Sequence, residues 1–262
     1  MLILECPYCG VRAEETDAYD LQGASVSASL SQPFNDHFMV SAGAKVDATR
    51  STDYELRAQG VDDYREQVTL SFPLGATYDT VSKPLDPQAG NRVSLGVEPG
   101  ISFGGGEASY TRITSSASTY RKISDRLVAA VRAEAGTFLG DDGVPVDRKF
   151  FAGGGGSVRG FEYQSLSPTD ADGNIIGGDA MFAATAELRW RKSERWGYVA
   201  FVDSGYAAGS IDEAFSEMRT SFGLGVRFYP GFGPVRFDIA TPLDRREGED
   251  PVQVYVSIGQ AF

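Results

Sequence analysis

Along most of the chain, hydrophobic and polar positions alternate with a period of two, and the apolar set keeps to one side from each segment to the next. Near the C-terminus Val252, Val254, Val256, Ile258 and Phe262 share one face, with Gln253, Tyr255, Ser257 and Gly259 on the other. Upstream, Val235, Phe237 and Ile239 alternate with Arg236 and Asp238. Phe222, Leu224, Val226 and Phe228 alternate with Ser221, Gly223, Gly225 and Arg227. Phe182, Ala184, Ala186, Leu188 and Trp190 alternate with Ala183, Thr185, Glu187, Arg189 and Arg191. The same period predicts strands over 26–30, 38–48, 68–78, 93–103, 110–120, 127–139 and 196–206, eleven in all.

A soluble β-sandwich alternates too, but its turns recur every ~8–12 residues and its outer face is mixed. Here the strands run to about ten residues, the length that crosses a bilayer at a tilt. The second face gathers Arg, Glu, Asp, Lys and Gly. This is the pattern of an all-β, transmembrane antiparallel β-barrel, apolar toward lipid and polar toward its lumen. Parity marks Leu188, Leu224 and Val254 as lipid-facing. Gln253 and Gly223 fall on the lumen side, where an added charge should be tolerated better.

Connection lengths agree with this reading, because outer-membrane barrels have short periplasmic turns and longer extracellular loops. Segments 32–36, 122–126, 192–195 and 230–233 are short, whereas 49–66, 140–179, 207–217 and 242–251 are long and polar. Two connections depart from strict order: 104–106 is short where a long loop is due, and 81–90 is long where a short turn is due.

Composition narrows the class further. The 31 glycines exceed the roughly 7% of ordinary proteins, and they accompany 12 Tyr and 16 Phe, as β-structure would have it. No uncharged apolar run approaches the ~18 residues of a membrane-spanning helix. A net charge of -12 with no basic run argues against a nucleic-acid partner. A single His, away from any candidate nucleophile, argues against an enzyme, and no cofactor is called for.

The 140–179 insertion needs a task of its own, since loops of that length are uncommon in compact domains. It contains FFAGGGGSVRGF, with Val158, Arg159, Gly160 and Phe161 at its end, then YQSLSP and Asp170, Asp172 and Gly173. Together with TYDT and PLDPQAG (77–90), AFVDSG (200–205), GPVRFDIATPL (233–243) and the terminal YVSIGQAF, this run resembles the outer-membrane protein insertase superfamily. Within it the resemblance is to the TamA-like barrels, also called the bacterial surface antigen family, over roughly 21–262.

The resemblance implies a Gram-negative outer-membrane barrel whose long loop folds back into the lumen, bringing Arg159 to acidic side chains on the wall. Parity independently puts Asp203 and Glu187 on the lumen face, so Arg159 with Asp203, supported by Glu187, is the expected constellation. A desolvated guanidinium needs paired carboxylates, and its planar fork suits a bidentate one. The implied activity is non-catalytic: helping autotransporter or other β-barrel chains insert, by strand addition at the seam between the first and last strands. The implied partners are outer-membrane lipid, unfolded clients and an inner-membrane or periplasmic assembly protein. The last strand, with Tyr255, Gly259 and Phe262, would form one side of the seam. Phe262 would be either a terminal signal or an aromatic girdle residue.

TamA-like proteins carry periplasmic repeats ahead of a sixteen-strand barrel, and neither the repeats nor the earliest strands are recognisable here. An odd count of eleven strands is unlike bacterial barrels. It would be resolved by a further strand at 54–61 or 1–4, or by the chain being a truncated copy of the family barrel, which is the reading preferred on sequence. Residues 1–20 read as a separate N-terminal segment and 21–262 as the barrel. Segment 1–17, MLILECPYCGVRAEETD, stands outside the alternation and resembles the start of sarcosine oxidase delta subunits, which bind zinc. Cys6 and Cys9 supply only two thiolates of the four ligands a structural zinc needs, with His37 the one further candidate. A zinc-binding subunit and a passive outer-membrane pore are therefore the alternative functions.

Overall fold

The computed structural model describes residues 3–53, 64–81, 83–105, 107–141, 143–230 and 233–262, with only the backbone for 3–8 and 53. Among the described residues, thirteen strands form one antiparallel sheet. They are β1 (Ile3–Glu15), β2 (Tyr19–Pro33), β3 (Phe38–Asp53), β4 (Arg65–Ser71), β5 (Leu74–Asp79), β6 (Gly90–Gly104) and β7 (Ala108–Ser124). The second half comprises β8 (Leu127–Gly140), β9 (Ala180–Arg191), β10 (Trp196–Ala208), β11 (Arg219–Phe228), β12 (Val235–Pro242) and β13 (Gln253–Ile258). A six-residue helix, α1 (Ile211–Ser216), lies between β10 and β11. No helix among the described residues is long and apolar enough to cross a membrane.

Neighbours in sequence are neighbours in the sheet, except that β4 and β5 share one place between β3 and β6. Ser71 lies opposite Lys45 and Leu74 opposite Ala42, so the register runs through unbroken. The interruption falls at Phe72-Pro73, where proline has no N–H to give the ladder. The wall therefore has twelve strand positions, and segment 68–78 behaves as the single strand its alternation predicts.

The strand over 3–15 corrects the expectation that segment 1–17 stands apart from the sheet. β1 pairs with β2 from Ile3 opposite Ser31 to Glu15 opposite Asp20, with a register shift between Glu5 and Tyr8. The shift spans Cys6-Pro7, and a bulge at a proline breaks the period by which strands are recognised. Twelve positions put both ends of the sheet on the same side. The other candidate for an extra strand, 54–61, lies outside the described residues.

The sheet is inside-out relative to a soluble one. Leu188, Leu224, Phe237, Ile239 and Val254 point outward and exposed, whereas Glu187, Arg189, Asp203, Arg227 and Asp238 are buried on the opposite face. That face wraps the 141–179 segment. The segment touches Tyr19 and Leu21 on β2, Phe138 on β8 and Ala183 and Ala207 on β9 and β10, and β13 through Tyr255. A sheet that meets one inner segment with strands from both its halves is curled around it. The segment has structure of its own, a single 3-10 turn at Val146–Arg148 and bridges pairing Phe150 with Gly178 and Thr169 with Ile175.

The chain leaves the sheet earlier than alternation predicts. β13 ends at Ile258, because Gly259 at φ +94° turns the backbone and donates its N–H to the Pro234 carbonyl. Phe262 then faces inward: its ring centroid is 6.0 Å from that of Tyr120, and the Arg189 guanidinium lies 4.9 Å from it. Of the two readings of Phe262, terminal signal or girdle residue, these contacts do not fit the second. The long turn after β5 meets the same tail, with Asp86 accepting from Arg191 and Gln260 at 3.0 Å each. Its departure from the short-turn rule thus has a packing reason.

Leu224, 58% exposed at the centre of its strand, tests the orientation. Leu224→Arg should cost about 2–4 kcal/mol if it sits near the bilayer midplane, with Gln253→Arg much milder. Gly223 is unsuitable as the inward control, since a side chain there would run into the Phe201 ring and the Ile239 carbonyl. Denaturant titration of vesicle-folded protein reads the difference, and equal tolerance of charge at 224 and 253 would contradict a lipid-facing outer surface.

Candidate functional site

The FFAGGGGSVRGF run folds as a compact knot held by its own backbone. Gly154 N–H donates to the Val158 carbonyl at 3.0 Å, and the Ser157 hydroxyl accepts from Gly153 N–H at 2.9 Å. Val158 and Phe161 are buried with Phe150, Ala152, Leu166, Ala183 and Ala207. This apolar plug gives the loop a core inside the lumen, and it fixes which way the residue between its anchors points.

That residue is Arg159, 2% exposed. Its Nε donates to Asp203 Oδ2 at 2.7 Å and its Nη2 to Asp203 Oδ1 at 2.9 Å, a bidentate fork, and its backbone N–H also reaches Oδ2 at 3.1 Å. Nη1 donates to Asp238 Oδ2 at 3.1 Å. Glu187 Oε1 lies 2.8 Å from Nη2 at an angle that makes it an ion-pair contact rather than a hydrogen bond. The guanidinium also stacks on Phe201, 3.4 Å from the ring centroid, and the Arg159 carbonyl accepts from the Ser221 hydroxyl. Burial disfavours the cation, but the hydrogen bonds and charge of Asp203, with Glu187 and Asp238, outweigh it and push the pKa of Arg159 up.

The sequence expectation brought Arg159, Asp203 and Glu187 together, and these three are in contact. It omitted Asp238 and Arg227, although parity puts both on the same lumen face. Arg227 donates to Asp238, and Arg189 to Glu187 at 2.7 Å. Gly160 adopts φ +94°, and a Cβ there would lie 2.7 Å from Ser221 Cβ. Both facts require glycine beside the arginine.

A second anchor lies at the root of the loop and had no signal in the sequence pattern. Arg148 pairs with Asp47 on β3 and lies 3.5 Å from Glu98 on β6. Its neighbour Asp147 lies 3.6 Å from Arg12 on β1. Burial pushes the Asp147 carboxyl up against the pull of Arg148 and Arg12. The loop therefore grips both halves of the wall, β1 to β6 through 147–148 and β9 to β12 through Arg159.

The remaining candidates are placed as follows. The Tyr255 hydroxyl sits between Gly160 N–H and the Phe161 carbonyl, 3.0 Å from each. Gly259 and Phe262 form the inturned tail described above. Cys9 is exposed on β1, and of Cys6 only the backbone is described. His37, in the turn after β2, has its Nδ1 3.1 Å from the Asp79 carbonyl oxygen. Among the described residues no group of His, Cys, Asp and Glu is arranged to hold a metal.

With this geometry established, comparison with known proteins is informative. The model of the family described as the Omp85 superfamily domain matches residues 11–262. The outer membrane protein assembly factor BamA of Nitratidesulfovibrio vulgaris (strain Hildenborough) is 28% identical over 241 residues, 88% of this chain and 30% of that protein. Among solved structures, BamA from Haemophilus ducreyi lacking POTRA domains 1-3 superposes with a TM-score of 0.75 at 18% identity, covering 91% of this chain and 54% of that one. CdiB from Acinetobacter baumannii gives a TM-score of 0.60 at 16% identity, covering 90% of this chain and 41% of that one. The two structural likenesses show a shared fold. The chain spans less than a third of the BamA sequence it matches and about half of the truncated BamA structure.

Two predictions follow from the geometry of the knot. Arg159→Ala or Asp203→Ala alone should each cost roughly 3–5 kcal/mol, because a buried charge loses its partner, and the double variant should cost clearly less than the sum. Strict additivity in denaturant unfolding would show that the pair does not interact. Gly160→Ala should cost at least about 1 kcal/mol from the left-handed backbone alone. Gly156→Ala, where a Cβ meets nothing within 4 Å, should stay within about 0.5 kcal/mol. Equal effects at the two glycines would mean the knot is not folded as described.

Proposed function

The chain belongs to the Omp85 superfamily, and from that membership we propose that it is an outer-membrane protein assembly factor that helps β-barrel clients fold into the bilayer without covalent chemistry. The observation that carries the reading is the combination of a lipid-facing sheet, a lumen filled by a pinned loop, and an edge strand, β13, whose only ladder among the described residues is with β12. An unpaired edge offers backbone N–H and C=O groups onto which an incoming strand can add. The partners are then outer-membrane lipid, unfolded clients and a periplasmic or inner-membrane assembly protein.

Within the superfamily, the motif set from TYDT to YVSIGQAF favours a TamA-like role with autotransporter clients. A passive pore is disfavoured by the occupied lumen, where Phe150, Val158, Phe161 and Leu166 are all buried. A zinc-binding subunit is disfavoured by β1, in which Tyr8, Cys9 and Gly10 of the CPYCG run pair with β2.

The test is reconstitution of the protein, in its full natural length, into vesicles to which urea-unfolded clients are added. The fraction folded is read by heat-modifiable migration on a gel. Acceleration over empty vesicles, lost in Arg159→Ala, is the expected result, with autotransporter barrels accelerated more than simple eight-strand barrels if the TamA-like assignment holds. Ion conductance with no acceleration of any client would replace the assembly reading with that of a pore.

A further inference from the structure

β13 is the least supported strand of the wall by its own backbone. It is six residues long, against 17 for β7, and it has one ladder. Three side-chain tethers compensate. From inside the lumen, the Tyr255 hydroxyl accepts from Gly160 N–H and donates to the Phe161 carbonyl, each at 3.0 Å. Along the ladder, Arg236 on β12 donates to the Ser257 hydroxyl. Beyond the outer end, Arg219 is bidentate to Glu249 in the 243–252 loop at 3.0 and 3.1 Å, while its guanidinium faces the Phe161 ring at 5.1 Å.

Two of the three tethers converge on Gly160 and Phe161, the residues that follow Arg159. Tyr255 stands directly opposite Asp238 in the β12–β13 ladder, and Asp238 is the carboxylate that takes Arg159 Nη1. The Tyr255 ring packs toward Val199, Phe201 and Ala240, and Phe201 is the ring on which Arg159 stacks. The ring also lies over the glycine run, so that a Cβ at Gly155 would be 2.9 Å from Tyr255 Cδ1. The residues that Tyr255 touches are thus the neighbours of Arg159 in the loop and its partners on the wall.

We propose that Tyr255 is a positioning residue that couples docking of the Arg159 loop to the hold of β13 on the wall. Loop docking and release of the β13 edge are then linked equilibria, each shifting the other by the same factor. An incoming strand that competes for the edge would loosen the loop, and a docked loop would resist premature opening. The consequence for clients rests on the assembly reading above, whereas the coupling itself is a property of the chain alone.

The experiment is peptide-resolved hydrogen exchange on the full protein in lipid nanodiscs, comparing wild type, Tyr255→Phe, Arg159→Ala and the double variant. Removing one hydroxyl that makes two hydrogen bonds should speed exchange in 252–259 and in 152–161 by about 5- to 30-fold, leaving the β9–β10 ladder unchanged. In the Arg159→Ala background the added effect of Tyr255→Phe should largely vanish. Gly155→Ala, which displaces the ring and keeps the hydroxyl, should reproduce the β13 effect and stands in if Tyr255→Phe folds poorly. The coupling is overturned if exchange in β13 does not change in either variant, if all strands accelerate alike, or if the Tyr255 and Arg159 effects multiply independently. Failure of the wild type to accelerate any client would remove the assembly reading and leave the exchange result to decide the coupling.

Discussion

A guanidinium placed out of water must be surrounded by charge and acceptors of the right shape, and the lumen of this protein is organised to meet that requirement at Arg159. One bidentate carboxylate is not enough, since the fork presents donors on more than one side. The wall supplies Asp203 from β10, Asp238 from β12 and Glu187 from β9. Three carboxylates around one cation would overshoot, and Arg189 and Arg227 bring the buried cluster to three cations against three anions. A balanced, hydrogen-bonded network of this kind is costly to break at any one member, while its net contribution to stability is modest. Its carboxylates come from three strands and meet the fork in the orientation the loop takes.

Much of this was legible in the sequence because a membrane barrel writes its two faces into residue parity. Alternation at 182–191 and 196–206 was sufficient to assign Glu187 and Asp203 to the lumen. The same argument applied to Arg189, Asp238 and Arg227 delivers the rest of the network around Arg159. Asp238 is needed because the guanidinium presents a donor, Nη1, beyond those that face Asp203 and Glu187. The lipid-facing set from Phe182 to Val256 needed no tertiary information, because strand periodicity and the solvent on each side determine it together.

What parity cannot encode is where the chain departs from regular strand. β1 is hidden from alternation because its register shifts by one residue across Cys6-Pro7, and a shift of that kind interrupts the period of two. The end of β13 was overrun because Gly259 looks like one more small inward residue, although its φ of +94° turns the tail into the lumen. The Arg148 anchor joins residues about a hundred positions apart, Asp47 and Arg148, and no local period relates a loop root to a strand that far upstream. Such pairings depend on how tightly the sheet is curled, which is a property of the whole wall.

The curl and the loop determine each other. A twisted antiparallel sheet with free edges has no single radius of its own, because ladder hydrogen bonds fix neighbours and leave the overall curvature soft. The loop grips the wall from within, β3 and β6 through Arg148 and β9, β10 and β12 through Arg159, with its apolar plug between the two anchors. Long strands such as β7 add to a rigid wall, and short β13 depends on side chains for its place. The edge strand β13 is tied to the same internal strut that holds the rest of the wall. Local openings generally come from weakly supported elements of a structure, and the loop reaches through Tyr255 a six-residue strand that has a single ladder among the described residues.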